Sequence, residues 1–232
     1  MKMLVIIPAF NEEGSIVHTI EDLRKYAPDF DYLVINDSSE DDTLRICREN
    51  KYHYLNLPVN LGIGGAVQTG YRYAYYQGYD LAVQFDGDGQ HRAEYLSAMK
   101  EKMLHEGADM VIGSRFIRME GDQSSYLRRI GIRYFSWLIR LVTGSKITDP
   151  TSGMRMVNRK LLQRFMTDYP KDYPEPESVV DILTKKYKVC EIPVAMNGRS
   201  SGISSISMIK SIYYMLKVSL AIVIIACGGV KS

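Results

Sequence analysis

Short runs of β-branched and aromatic residues alternate along the chain with stretches whose apolar residues recur every three or four positions. That alternation predicts strands followed by covering helices, the arrangement of a mostly parallel sheet. Leu4 to Ile7, Tyr32 to Ile35 and Tyr52 to Leu55 read as the first three strands. Between them Ile16, Ile20 and Leu23 mark one helix face, while Leu44 and Ile46 belong to a short second helix. A helix over Ile63 to Tyr76 precedes a strand over Asp80 to Phe85, then a helix near Glu94 to Leu104 and a strand over Met110 to Ile112. From Tyr126 a helix carries Arg128, Arg129, Arg133 and Arg140, and Val189 to Val194 reads as a further strand. No repeat, low-complexity tract or linker interrupts this series.

The two ends carry different patterns. Met1 to Ile7 is apolar but is followed at once by Pro8, Asn11, Glu12 and Glu13, which fits a buried strand and not a signal peptide. Near the other end Ile206, Ile209, Tyr213, Leu216, Leu220, Val223 and Cys227 form a continuous helical stripe, with Lys210 and Lys217 on a neighbouring row. Val218 to Val230 is almost wholly apolar, yet shorter than the ~20 residues a bilayer span requires. This pattern predicts a helix lying in a membrane interface or docked on a membrane partner, against the alternative of a core helix.

Composition narrows the picture little further. Of 232 residues 46% are hydrophobic and 24% charged, which suits one globular domain and excludes a disordered, collagenous or disulfide-scaffold chain. A formal charge of +2 is too balanced to suggest a nucleic-acid partner. Cys47, Cys190 and Cys227 are odd in number and far apart, so neither a disulfide framework nor a zinc site is implied, and a reducing cytosol fits.

In open parallel sheets ligands bind beyond the carboxyl ends of the strands, and polar residues cluster at those positions. Pro8, Ala9, Asn11 and Glu12 follow the first strand, Asp37 the second, Asn60 and Gly62 the third, and Asp86 with Asp88 the fourth. Asp86-Gly87-Asp88 sets two carboxylates on a turn with little bulk between them. Such oxygens suit Mg2+ or Mn2+ bridging to phosphate, although a solvated turn would read the same way. An EF-hand is excluded because the sixth loop position is His91 and the twelfth Ser97. Gly62-Ile63-Gly64-Gly65 lacks the spacing of a dinucleotide fingerprint.

Taken together, Ile6-Ile7-Pro8-Ala9-Phe10-Asn11-Glu12-Glu13, Asp37, Asn60-Leu61-Gly62 with Gly64, Asp86-Gly87-Asp88-Gly89-Gln90-His91, Gly113-Ser114-Arg115 and Asp149 to Gly153 resemble family 2 glycosyltransferases. More narrowly they resemble the polyprenyl-phosphate glycosyltransferases of the dolichol-phosphate mannose synthase group. The resemblance implies a single α/β GT-A (Rossmann-like) domain with a mostly parallel central sheet over residues 1–205, followed by an apolar, amphipathic C-terminal helix over 206–232.

It further implies a nucleotide-sugar donor in a pocket lined by Pro8, Ala9, Asn11, Glu12, Asp37 and Gly62, with Asp37 accepting from the base. Asp86 would contact ribose, sugar or metal, and Asp88 with Gln90 would hold Mg2+ or Mn2+ on the diphosphate. Arg115, Arg129 and Arg133 would receive an acceptor phosphate; at i, i+4 on a helix the last two repel unless an anion lies between them. Arg199, in the Asn197 to Ser205 segment, would add positive charge over the diphosphate. Glu175, Glu177 and Asp149 are the acids available as a base. The implied reaction is an inverting transfer of GlcNAc or glucose from a UDP-sugar to undecaprenyl phosphate for cell-envelope polysaccharide, at the cytoplasmic face of the membrane beside a small integral membrane protein. A GDP-mannose donor and a saccharide hydroxyl acceptor are the alternatives, and a non-catalytic nucleotide-sugar binder has no need of Asp86, Asp88 and Gln90 together.

Overall fold

The computed structural model describes residues 1–118, 126–198 and 208–228. Its first strand, β1 (Met3–Ala9), is buried along its whole length, as expected of a parallel strand covered on both faces. Side chains alternate across the sheet. Leu4 and Ile6 therefore enter one core while Met3, Val5 and Ile7 enter the other.

The second core is closed by α1 (Ile16–Tyr26), which buries the predicted Ile16, Ile20 and Leu23, by α2 (Thr43–Glu49) through Cys47, and by α4 (Leu96–Glu106) through Leu96, Met99 and Met103. The first core is larger. There α3 (Gly62–Tyr76), α5 (Tyr126–Thr143), α6 (Arg159–Phe165), α7 (Pro174–Thr184) and α8 (Met208–Ala226) meet over Ile6, Ile35 and Val157.

The remaining strands are β2 (Asp31–Asn36), β3 (Tyr54–Asn56), β4 (Leu81–Gln84), β5 (Met110–Ser114), β6 (Arg155–Asn158) and β7 (Val189–Pro193). They form one seven-stranded sheet in the order β3-β2-β1-β4-β6-β5-β7. All neighbours are parallel except β6, which runs antiparallel between β4 and β5.

Strand β6 and helix α6 have no counterpart in the periodicity reading, and the reason is local. β6 is four residues long and opens on Arg155, a residue that belongs outside a core unless its charge is satisfied. Here the guanidinium, fully buried, donates to the carbonyls of Ser152 (2.6 Å), Pro150 (2.7 Å) and Glu175 (2.5 Å) and to Ser178 Oγ (3.0 Å). Three carbonyl oxygens turned inward from the loop before β6 and from the helix start at Glu175 thus replace water around the charge. Helix α7 starts with Pro174 in its first turn, where a missing N–H costs nothing, and with Glu175 and Glu177 beside the positive helix end.

Candidate active site

The carboxyl ends of β1, β2 and β4 point the same way, and the loops leaving them enclose a cavity of about 430 Å³. Its walls include Pro8 and Ala9 at the end of β1 and Glu12 beyond it, Asp37 after β2, Asn60 and Gly62 before and at the start of α3, and Asp86 to Asp88 after β4. Of the residues expected around a donor, Pro8, Ala9, Glu12, Asp37, Gly62, Asp86 and Asp88 come together here.

Asp37 is buried at 3% exposure, and its Oδ1 accepts from the Leu61 N–H at 2.7 Å. This bond ties β2 to the turn that begins α3. Asn11 does something else: it adopts a left-handed backbone (φ 58°), its Oδ1 accepts from Glu40 N–H at 2.8 Å, and its own N–H donates to Ser39 Oγ at 3.0 Å. An asparagine tolerates that conformation well. It fastens the β1–α1 loop to the β2–α2 loop beside the cavity instead of lining it.

The acidic turn is tightly specified. Asp88 Oδ1 accepts from Gln90 N–H at 3.0 Å, and Gly89 supplies the left-handed position (φ 74°) that lets the chain reverse. Gln90 adjoins Asp88 through this backbone bond, and its carbonyl accepts from Asn197 N–H at 2.9 Å. Asn197 also donates from its side chain to the Gly89 carbonyl at 3.2 Å, so the end of the described 126–198 stretch is pinned onto the turn. Arg199, two residues further on, lies outside the described residues.

Asp86 and Asp88 are half-buried oxygen donors on one wall, a donor set that fits a hard divalent cation completed by phosphate oxygens. Among the described residues no group of three or more His, Cys, Asp or Glu side chains is gathered for a metal.

The arginines separate. Arg115, at the end of β5, is buried at 8% exposure and turns its fork to Asp149: Nε donates to Oδ2 at 2.7 Å, Nη2 to Oδ1 at 2.8 Å, and Nη2 also to Thr151 Oγ1 at 3.0 Å. Asp149 therefore holds both oxygens against Arg115, an occupation no sequence signal announced. The backbone of the same loop is held from β7, where Glu191 accepts from the N–H groups of Thr148 (2.8 Å) and Asp149 (3.0 Å). Burial raises the Glu191 carboxyl, and these two N–H groups pull it partly back. Arg129, half-buried, and Arg133, exposed, sit one turn apart on α5 and do not line the cavity. Burial also raises Glu175, with Arg155 opposing and Asp86 reinforcing the shift.

Four residues with no assigned role in the sequence reading prove close to the acids: Gln84, His91, Gly153 and Asn197. His91 and Gly153 lie inside the quoted motifs, but their proximity to Asp86 depends on the fold of the turn and on the placement of β6.

Comparison with known proteins agrees with this architecture. Residues 4–166 match the model of glycosyl transferase family 2. The undecaprenyl-phosphate mannosyltransferase of Micrococcus luteus is 31% identical over 219 residues, covering 89% of this chain and 88% of that protein. The UDP-N-acetylglucosamine–dolichyl-phosphate N-acetylglucosaminyltransferase of Methanococcus voltae is 29% identical over 210 residues, covering 82% and 83%. Glucosyl-3-phosphoglycerate synthase from Mycobacterium tuberculosis, solved with Mn2+, UDP and phosphoglyceric acid, shares the fold at a TM-score of 0.71 and 18% identity over all of this chain and 80% of that one. Because the family model runs from β1 through α6 and so takes in every strand that borders the cavity, the chain belongs to the family 2 glycosyltransferases.

Proposed function

We propose that this glycosyltransferase moves a sugar, GlcNAc or glucose, from a UDP-sugar to a polyprenyl phosphate of the undecaprenyl class, at the cytoplasmic face of the membrane. The observation that carries the choice of a lipid acceptor is the outer surface of α5 and α8. Helix α5 exposes Ile130, Tyr134, Trp137 and Leu141, a stripe at i, i+4, i+7 and i+11, and α8 exposes Tyr213, Leu216, Leu220, Val223 and Ile224. The two helices pack together, with Tyr134 and Ser219 sharing a hydroxyl hydrogen bond at 3.1 Å, so the stripes adjoin. An apolar surface of this kind on a soluble domain marks an interaction site. Arg133 and Arg140 follow one edge of the α5 stripe, where headgroup phosphates would lie if the stripe met acyl chains. No helix among the described residues is long and apolar enough to cross a membrane, which suits a helix pair lying on the bilayer. A small integral membrane protein is the proposed partner on the same face.

In this reading Asp37 accepts from the nucleotide base and Glu12 borders the ribose. Asp86, Asp88 and Gln90 face the diphosphate, with Asp88 and Gln90 as the metal-binding pair and Arg199 adding charge. A Mg2+ or Mn2+ ion bound there supplies Lewis-acid neutralisation of the leaving diphosphate. Arg129 and Arg133, with what remains of the Arg115 fork, orient the acceptor phosphate. An acceptor phosphate oxygen attacks the anomeric carbon in line with the departing nucleoside diphosphate, so the configuration inverts. That oxygen is ionised at neutral pH and requires no general base, which agrees with Asp149 being committed to Arg115.

The test is direct: purified enzyme is incubated with undecaprenyl phosphate, MgCl2 or MnCl2 and a panel of labelled nucleotide-sugars. Label from UDP-GlcNAc or UDP-glucose should enter the organic phase; label found only in water-soluble saccharide would refute the lipid acceptor. The membrane face is tested separately. Because Trp137 and Leu220 are 58% and 62% exposed, converting both to Asp should leave folding intact. The doubly substituted protein should lose about two orders of magnitude in partition onto anionic vesicles. Equal co-sedimentation of variant and parent would remove this face from the membrane.

A further inference from the structure

Asp86 follows β4 on a glycine-flanked turn and is about one-third exposed, a setting in which a carboxylate would ordinarily sample several rotamers. Three neighbours hold it instead. Gln84, two residues earlier and so on the same face of the strand, is fully buried and donates from Nε2 to Asp86 Oδ1 at 3.2 Å. Its Oε1 is buried without a partner. The Glu175 side chain also hydrogen-bonds Gln84, so turning the amide over would set that oxygen against two carboxyl groups, and Asp86 and Glu175 together dictate the orientation. A glutamine that leaves a buried oxygen unsatisfied makes a poor core residue.

His91 approaches from the other end of the turn. It is 4% exposed, and its ring stands edge-on to Phe85 with centroids 5.3 Å apart. Its Nδ1 accepts from the Asp86 N–H at 3.0 Å, so the ring proton resides on Nε2 in the neutral form, 3.6 Å from Asp86 Oδ2. One ring thus addresses both the backbone and the carboxylate of the same residue.

The third neighbour is set by the antiparallel insertion of β6. Gln84 pairs with Arg155, and continuing that register by two residues brings Gly153 opposite Asp86. A methyl group at Gly153 would lie 2.7 Å from Asp86 Oδ2, 3.1 Å from Oδ1 and 3.1 Å from Gln84 Nε2. There is room for a hydrogen atom and nothing larger.

We infer that Gln84 and His91, closed from behind by Gly153, are positioning residues that fix the Asp86 carboxylate toward the nucleotide-sugar diphosphate. The inference rests on the proposed role of Asp86 in donor binding. Partners of this type typically govern affinity by about 10- to 100-fold without touching the ligand.

The experiment compares Asp86→Asn, His91→Phe, His91→Asn, Gly153→Ala and the double variant Asp86→Asn/His91→Phe. It measures UDP or GDP affinity with MnCl2 by calorimetry, kcat and KM for the sugar donor, and thermal melting. His91→Phe keeps the ring volume against Phe85 but offers no acceptor to the Asp86 N–H, and should lose about 10- to 100-fold in nucleotide affinity while the melting temperature falls by only about 2–4 °C. His91→Asn places an oxygen near the Nδ1 position and should recover most of that loss. In the Asp86→Asn background His91→Phe should add nothing further, because both act on one group. Parent-like affinity and kcat/KM in His91→Phe would overturn the inference, as would full additivity in the double variant. Should His91→Phe fail to fold, Gly153→Ala decides: nucleotide affinity equal to the parent's overturns the clamp, and a loss of about tenfold or more upholds it. If Asp86→Asn itself leaves donor affinity and turnover unchanged, the underlying assignment of Asp86 falls, a result distinct from any His91 outcome.

Discussion

Replacing Asp88 by alanine should lower turnover by about 100- to 1,000-fold. The magnitude follows from losing several kcal/mol of charge stabilisation on a departing diphosphate, at about 1.4 kcal/mol per factor of ten. The fold should survive. Asp88 is half-buried at the cavity wall and closes an Asx turn onto Gln90 N–H at 3.0 Å; losing that bond costs about 1 kcal/mol, or roughly 2–4 °C of melting temperature in a domain this size. Stripping divalent ions from the parent enzyme with excess EDTA should produce a comparable loss, while the Asp88→Ala enzyme should respond little to the same treatment. Steady-state kinetics with and without chelator, together with a melt, decide the matter. Parent-like kcat in the variant, or an EDTA effect equally large in both proteins, would show that Asp88 has no part in holding a metal.

Asp149→Ala should act on stability first, by about 3–5 kcal/mol, which corresponds to roughly 6–20 °C in melting temperature. Asp149 is fully buried and accepts from the Arg115 N–H, Nε and Nη2, so truncation leaves a buried guanidinium with Thr151 Oγ1 as its remaining side-chain acceptor. The cost comes from stranding that charge, more than from losing the attraction itself. Removing both partners together, as in Arg115→Met with Asp149→Leu, should therefore recover much of the deficit. Thermal and urea unfolding of the three proteins provide the check. A deficit below about 1 kcal/mol for Asp149→Ala would mean that the pair behaves as an exposed one.

The consequence reaches Asp86 and the donor site proposed there. The 148–153 loop is held from two sides, by Arg115 at the end of β5 and by Glu191 on β7. Its last residue is Gly153, which backs Asp86. Loosening the loop should therefore raise donor KM even at temperatures where Asp149→Ala remains folded.

Much of this molecule was legible before any coordinates. Strands β1 and β2 follow from short continuous β-branched runs, and helices α1 and α3 from apolar residues recurring every three or four positions, both properties of consecutive residues. So does the placement of Pro8, Glu12, Asp37, Gly62, Asp86 and Asp88 at strand ends, since a parallel sheet sends every such end to one edge. The apolar stripe on α8 was equally plain, but its direction was not. Tyr213, Leu216, Leu220 and Val223 face outward while Val218 and Ile222 enter the core, and a helix apolar on nearly all sides carries no local mark to distinguish them.

What the tertiary structure alone decided concerns residues far apart in the chain. In the sequence Arg115 reads as a candidate ligand of the acceptor phosphate and Asp149 as an available base, and only the fold brings the two to 2.7 Å. Nothing local marks Arg155 as the start of a buried strand, because the carbonyls of Pro150, Ser152 and Glu175 that neutralise its desolvation converge only after folding. The antiparallel entry of β6 between β4 and β5, which sets Gly153 against Asp86, is likewise a matter of register between distant segments. Local pattern specifies what each segment becomes; pairing energies across the sheet, summed over the whole core, specify which segment lies beside which.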